Sequence, residues 1–374
     1  MIEWQVKSSY AAELTNFLWS IGEGRICSRA YPKEKAFWRS RLGNGMALSI
    51  DQFVDFDRTA MSQYNLGTVL HFSNAESLDQ VMDALEDLEQ LKSLMLETRP
   101  RDLEWVDSVF MRLGQSKALL QQILEALKWT GYDEYWRAKI LPVVSRKCEE
   151  LEAGLSDYSV GRILAEINDL LGPRYHLDFS PKPIYLTYFG YALAYRVPDN
   201  SSVHSFKADR PIETGKFVGT FTHELLHNYD PGESVREHLN RLLESQFLAR
   251  NHEMRQYYWG TPSDEDLIIA AEKYISVRLG AVSDESAFHH LYTNYDGTSV
   301  LGVVIYDNMS AEKLGHREYD RFLLSLFHEG IIQPATLEDE YYRILQKHVG
   351  AEEAEKRREH HRNIYARYIN EKRS

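Results

Sequence analysis

FVGTFTHELLHNYDPGESVREHLNRLLESQ, Phe217 to Gln246, contains the pentad His223-Glu224-Leu225-Leu226-His227. Two imidazoles four residues apart on a helix lie on one face about one turn apart, so both rings can reach a single ion at ~2.0–2.1 Å. Glu224, next to the first His, projects beside such an ion, where a carboxylate can take a proton from water. A motif this short also arises by chance, so its surroundings decide its meaning. The positions around it are uncharged (Phe221, Thr222, Leu225, Leu226), and Phe217, Val218, Phe221 and Leu225 form an apolar stripe that buries the helix. Unpaired polar groups there would cost about 1–3 kcal/mol each, and a metal would satisfy all three at once. The chain holds its own control: His328-Glu329-Gly330-Ile331-Ile332 has the His-Glu pair but Ile where a second His would stand. That pair is expected to be structural.

Working outward, Asn228-Tyr229-Asp230-Pro231-Gly232 must end the helix, because Pro and Gly break it, and a second helix is expected from Glu233 or Ser234 to about Tyr257. Upstream, KPIYLTYFGYALAYRVP is the best β segment of the chain, a strand or strand pair over Pro183–Val197 closed by a turn at Pro198-Asp199-Asn200. The stretch that follows, NSSVHSFKADRPIETG, reads as a polar loop. Downstream, helix is expected around Asp264 to Leu279, a short strand at Ser299–Tyr306, and charged helix to the end. Lys356-Arg357-Arg358-Glu359-His360-His361-Arg362 reads as a solvated helix face.

The first 155 or so residues read as helices. Leu78, Val81, Met82, Leu85, Leu88 and Met95 keep the helical period behind a capping box of Ser73 and Glu76, with Pro100 closing the helix. Leu103, Val106, Phe110 and Leu113, then Leu119, Leu120, Ile123, Leu124 and Leu127, continue the pattern. The expected organisation is an all-α region over 1–158 and a second domain over 159–374.

The chain has 374 residues, enough for one or two cores, with 43 basic and 56 acidic residues and a formal charge of −13. That charge repels phosphate backbones, so nucleic acid is not an expected partner. No apolar run approaches the ~20 residues of a membrane span, and the N-terminus lacks the apolar core of a secretory signal, so a cytoplasmic protein without a membrane partner is expected. Cys27 and Cys148 stand far apart without a CxxC pair and are expected to be reduced thiols.

THELLH with its uncharged flanks resembles the active-site helix of the zincin metallopeptidases. The resemblance implies an α+β, mostly helical fold in which a small mixed sheet with an exposed edge strand lies over the HExxH helix. It implies Zn²⁺ on His223 and His227, Glu224 as general base, and a peptide or unfolded protein as substrate, its backbone pairing with an edge strand drawn from Pro183–Val197. The metzincin continuation HExxHxxGxxH is absent, since Asp230 and Glu233 stand where its Gly and third His would be. The gluzincin type, with a Glu from a following helix as third ligand, remains. Glu233, Glu237, Glu244 and Glu253 are the candidates; a tight antiparallel helix pair around residue 231 would set Glu237 level with the His pair and so places it first. His289, His290, Tyr292 and Tyr295 are candidates for stabilising an oxyanion. The competing reading is a helical interaction or regulatory protein with a structural or vestigial zinc site, for which His238 is an available fourth ligand.

Overall fold

The structure, a computed structural model, describes residues 4–23, 27–57, 65–98, 103–175, 177, 183–190, 194–197, 201–261, 264–309, 314 and 318–373. Pro100 and the expected turn at 198–200 lie outside the described residues. The fold is α+β and mostly helical, with a small mixed sheet. The chain forms two compact units, Ile2–Asp157 with Ser180–Thr214, and Tyr158–Phe179 with Gly215–Ser374. Segment 180–214, placed by the sequence reading in 159–374, groups here with Ile2–Asp157.

The reason is a strand. The N-terminal region is not all-α: β1 (Gln5–Ser8) opens it and pairs in parallel with β2 (Pro183–Thr187). β3 (Ala194–Arg196) and β4 (Ser202–Ser205) complete a sheet of order β1-β2-β4-β3, parallel except for the antiparallel β3. Pairing in parallel across so many intervening residues commits 180–214 to the N-terminal unit. β2 and β3 both fall inside the expected β segment but do not pair with each other. β4, from the stretch read as a polar loop, lies between them. Its Ser202 and His204 carry no strand pattern; they are buried because His204 Nε2 meets Ser202 Oγ at 2.8 Å and both ladders use the backbone.

The helices of this unit are α1 (Tyr10–Ile21), α2 (Cys27–Ala30), α3 (Pro32–Phe56), α4 (Asn65–His71), α5 (Leu78–Glu86), α6 (Leu88–Thr98), α7 (Leu103–Trp129), α8 (Tyr132–Tyr135) and α9 (Leu141–Gly154). The apolar run expected as one helix from Leu78 to Met95 is two, α5 and α6, and its cap is Ser77, whose hydroxyl accepts from Gln80 N, rather than Ser73. The two downstream patterns merge into α7. α1 is buried along its whole length. Its single charge, Glu13, accepts hydrogen bonds from Tyr188 N (2.7 Å) and Phe189 N (2.9 Å), the loop that follows β2.

The second unit contains α10 (Val160–Leu171), α11 (Thr214–Leu226, from Gly215), α12 (Glu233–Leu242), α13 (Gln246–Trp259), α14 (Glu265–Arg278), α15 (Asp284–Thr293), α16 (Val300–Asn308), α17 (Tyr319–His328), α18 (Leu337–Val349) and α19 (Ala351–Arg373). The expected strand at Ser299–Tyr306 is the helix α16. An apolar run of this length is compatible with a buried strand or a buried helix; here α14, α15 and α18 surround it, so every face is apolar. α14 and α16 form the centre of this unit. Both cysteines are free and buried, and among the described residues no helix is long and apolar enough to cross a membrane.

Candidate metal centre

α11 carries the pentad inward: Phe217, Val218, Phe221, Leu225 and Leu226 are buried, and Glu224 is buried with them. Gly219 faces α14. A Cβ there would meet Glu272 Oε1 of α14 at 2.5 Å and Ser276 Oγ at 3.2 Å, so a larger residue would displace the Glu272 carboxylate from Ser276. α11 ends at Leu226, and His227 follows directly, its N–H donating to His223 O. Beyond it Asn228 Nδ2 donates to Leu225 O, and the chain stays non-helical through Pro231 and Gly232.

α14 brings a carboxylate to the His pair. Glu265, at the first turn of α14 and 2 % exposed, places Oε1 3.4 Å from His223 Nε2 and Oε2 3.9 Å from His227 Nε2. The three donor atoms lie within 4.8 Å of one another. Tetrahedral zinc with bonds of ~2.0–2.1 Å separates its donors by roughly 3.3 Å, so this cluster needs little adjustment to close on one ion. Two imidazole nitrogens and a carboxylate are also the donor set zinc accepts in open sites that keep a position for water. Among the described residues, this is the cluster of His, Cys, Asp and Glu side chains able to hold a metal.

The carboxylate is held from behind. Tyr295 OH donates to Glu265 Oε1 at 2.9 Å. Tyr295 and Asp296 both adopt left-handed backbone (φ 47° and 56°), followed by Gly297 at 86°, a conformation that costs non-glycine residues free energy and persists only where neighbours enforce it. Here they do: Thr298 donates twice to Tyr295 O, Arg357 Nη1 donates to Asp296 O, and His361 Nε2 donates to Gly297 O at 2.9 Å. Next to Glu265, the buried Asp266 faces a different set. His252 Nε2 lies 3.1 Å and Arg255 Nη1 3.0 Å from its carboxylate, and Gly302 N donates to it. These contacts pin the start of α14.

The electrostatics follow from the packing. Burial opposes the charged form of Glu265, but the imidazole of His223 overrides it and holds the carboxylate below its usual range; reciprocally, burial opposes the His223 imidazolium and Glu265 overrides it, raising the His. His227 is pushed down to about 4 by burial and by His223. Burial, reinforced by the Glu265 charge and opposed by His223, lifts Glu224 to about 7. A buried carboxyl that exchanges its proton near neutrality can serve as base and then as acid.

Glu237, the expected third ligand, is not at the cluster. It is exposed on α12, which packs against α17 instead of lying along α11. The turn dictates this: Tyr229 OH and Gly232 N both donate to Asp320 at the start of α17, and Tyr175 OH donates to Asp230 O. The helix leaving that turn buries Val235 and Leu242 and stacks His238 on Phe327 with ring centroids 4.8 Å apart. His238, the candidate fourth ligand, is thus engaged elsewhere, with Nδ1 at Ser234 O. Glu233, Glu244 and Glu253 are exposed as well, and Glu253 accepts from Tyr368 OH. His328-Glu329 is an exposed helix end closed by Gly330 (φ 74°). Of the four oxyanion candidates Tyr295 reaches the centre through Glu265 and His290 lies near enough to interact with the charge of His223, while His289 is exposed and Tyr292 OH meets His289 Nδ1 at 3.0 Å. Glu265 carries one signal in sequence, its position at the head of a largely apolar helix, but it lies beyond the helix that follows the Pro231 turn. Comparison with family models, curated proteins and solved structures finds no match for this chain.

Proposed function

We propose that this chain is a zinc-dependent peptidase of zincin type, with His223, His227 and Glu265 holding Zn²⁺. One observation carries the reading: a buried glutamate from a separate helix meets the His pair at zinc-ligand spacing, with a second buried glutamate, Glu224, beside it. An ion bound there supplies Lewis acidity that polarises a peptide carbonyl and acidifies water. The chain's own residues supply the proton traffic. Glu224 takes a proton from the attacking water at its carboxylate and returns it to the amide nitrogen as the C–N bond breaks, leaving a carboxylate and an amine. Tyr295 keeps Glu265 in one rotamer, and so acts as a positioning residue. His227, whose side chain is 30 % exposed against 16 % for His223, marks the side on which the centre meets solvent.

The test separates metal from chemistry. Elemental analysis of the purified protein is expected to give about one zinc per chain, and a fluorogenic peptide library should be hydrolysed. Glu224→Gln keeps the zinc and lowers turnover by about 10²–10⁴-fold. Protein that takes up no divalent transition metal even on reconstitution overturns the reading. Zinc retained with no hydrolysis by the parent favours a regulatory protein with a structural ion.

A further inference from the structure

A cavity of about 500 Å³ opens in the same unit among α13, α18 and α19, and it shares no residue with the metal centre. Its lining includes Arg250, Arg358 and Arg362 against a single lining acid, Glu338, and only Arg358 of the three has a further acid partner, Glu355 at 3.4 Å, among the described residues. The segment Lys356–Arg362, which sequence presents as a solvated face, here contributes Arg358 and the buried His361 to the lining. No carboxylate pairs with Arg250 or Arg362 among the described residues; Arg250 bonds only Gln246 Oε1.

One lining residue holds an unpaired acceptor. Asn251 is 2 % exposed, and its Nδ2 donates to Phe247 O at 2.8 Å, but its Oδ1 is buried without a partner. Flipping the amide does not help, because it would set oxygen against the Phe247 carbonyl. A buried acceptor left unpaired costs about 1–3 kcal/mol, which a ligand N–H recovers once the side chain turns its Oδ1 into the cavity. Aliphatic surface from Met254 and Ile369 lies in the same cavity. The ring faces of Tyr365 and Tyr342 already carry Arg250 (4.9 Å) and Arg358 (4.3 Å), so they offer guanidinium edges rather than free stacking surface.

We propose that this cavity binds the C-terminal residue of a short peptide: its carboxylate on Arg250 and Arg362, its N–H on Asn251 Oδ1, and an apolar side chain against Met254 and Ile369. A terminal residue offers these three features in one small group, whereas a nucleotide, also anionic, needs the ring faces that the arginines cover. The assignment stands on this cavity alone and is independent of the zinc reading.

Calorimetric titration of the full chain with N-acetyl-L-leucine and with N-acetyl-L-leucinamide tests it. The acid is expected to bind at one site, with the amide at least about tenfold weaker, the loss of a charge-assisted contact. Arg250→Gln/Arg362→Gln, both at solvent-accessible positions, should abolish the preference for the acid, while His223→Ala should leave it unchanged. Equal binding of acid and amide, or no binding at millimolar ligand, overturns the proposal. So does binding that survives the double arginine change but disappears in His223→Ala, which would put the anion at the metal centre. Displacement of the acid by adenosine 5′-monophosphate at lower concentration also overturns it, in favour of a phosphate ligand.

Discussion

Glu13 and Glu265 are both carboxylates withdrawn from water, one in each unit, at 0 % and 2 % exposure, and their surroundings push them in opposite directions. Among the described residues, Glu13 accepts hydrogen bonds from the backbone N–H groups of Tyr188 and Phe189, and burial lifts it to about 8 despite those bonds. Glu265 suffers the same burial but faces two imidazoles and the hydroxyl of Tyr295, and is held below the usual carboxylate range. Burial alone therefore says nothing about function. The partners do: amide N–H groups knit Glu13 into the loop after β2, whereas groups that could equally ligate an ion converge on Glu265.

The largest effect that would break this contrast is on metal affinity. Glu265→Ala should weaken zinc binding by more than the ~10–100-fold typical of residues that only support a ligand, read by competitive chelator titration, whereas Glu13→Ala should leave it unchanged. Comparable losses from both would mean that the contrast is one of folding and not of chemistry.

Next in size is the pH dependence of stability. Glu13 has a folded pKa raised from 4.5 to about 8, so the folded state binds the extra proton between those values. Its contribution is whole below pH 4.5 and is lost as pH rises through 8, on the order of a few kcal/mol. Glu265, with its pKa lowered, contributes with the opposite sign: present above 4.5 and lost as pH falls below it. Denaturant unfolding of Glu13→Gln between pH 5 and 9 should show a flatter profile than the parent; an unchanged slope would remove Glu13 from the comparison.

A smaller effect sharpens the role of the strained turn. Tyr295→Phe keeps the ring against Trp259 and removes the hydrogen bond to Glu265, so zinc affinity should fall by about 10–100-fold with the fold intact. A phenylalanine variant that binds zinc as tightly as the parent would show that the left-handed turn at Tyr295 and Asp296 does not position the ligand. The smallest expected change is that of Glu237→Ala, which should lie within error of the parent in the same titration, because that side chain is exposed on α12.

Much of the molecule was legible where the physics is local. The His223/His227 spacing, the placement of Glu224 and the break at Pro231-Gly232 are set by helical period and backbone chemistry within a few residues, and the structure keeps all three. The head of α14 was also legible as a helix from Asp264, as were two of the four strands within 183–197. What periodicity could not show is partnership. β4 has no hydrophobic alternation, because two neighbouring strands satisfy it; α16 could be strand or helix until its neighbours surrounded it.

The glutamate that meets the His pair is the clearest case of the division. From residue types and spacing follow a helix, a His pair and the need for one more donor, since those depend on covalent geometry and on what zinc accepts. Which glutamate answers is decided by packing: Asp320 captures the turn at 229–232 and sends α12 to α17, while the face of α11 at Gly219 lies against Glu272 and Ser276 of α14, the helix whose first turn carries Glu265. Neither contact leaves a trace in the sequence around the pentad, because each is made with a residue some fifty to ninety positions away, and only the folded chain brings such distances to a few ångströms.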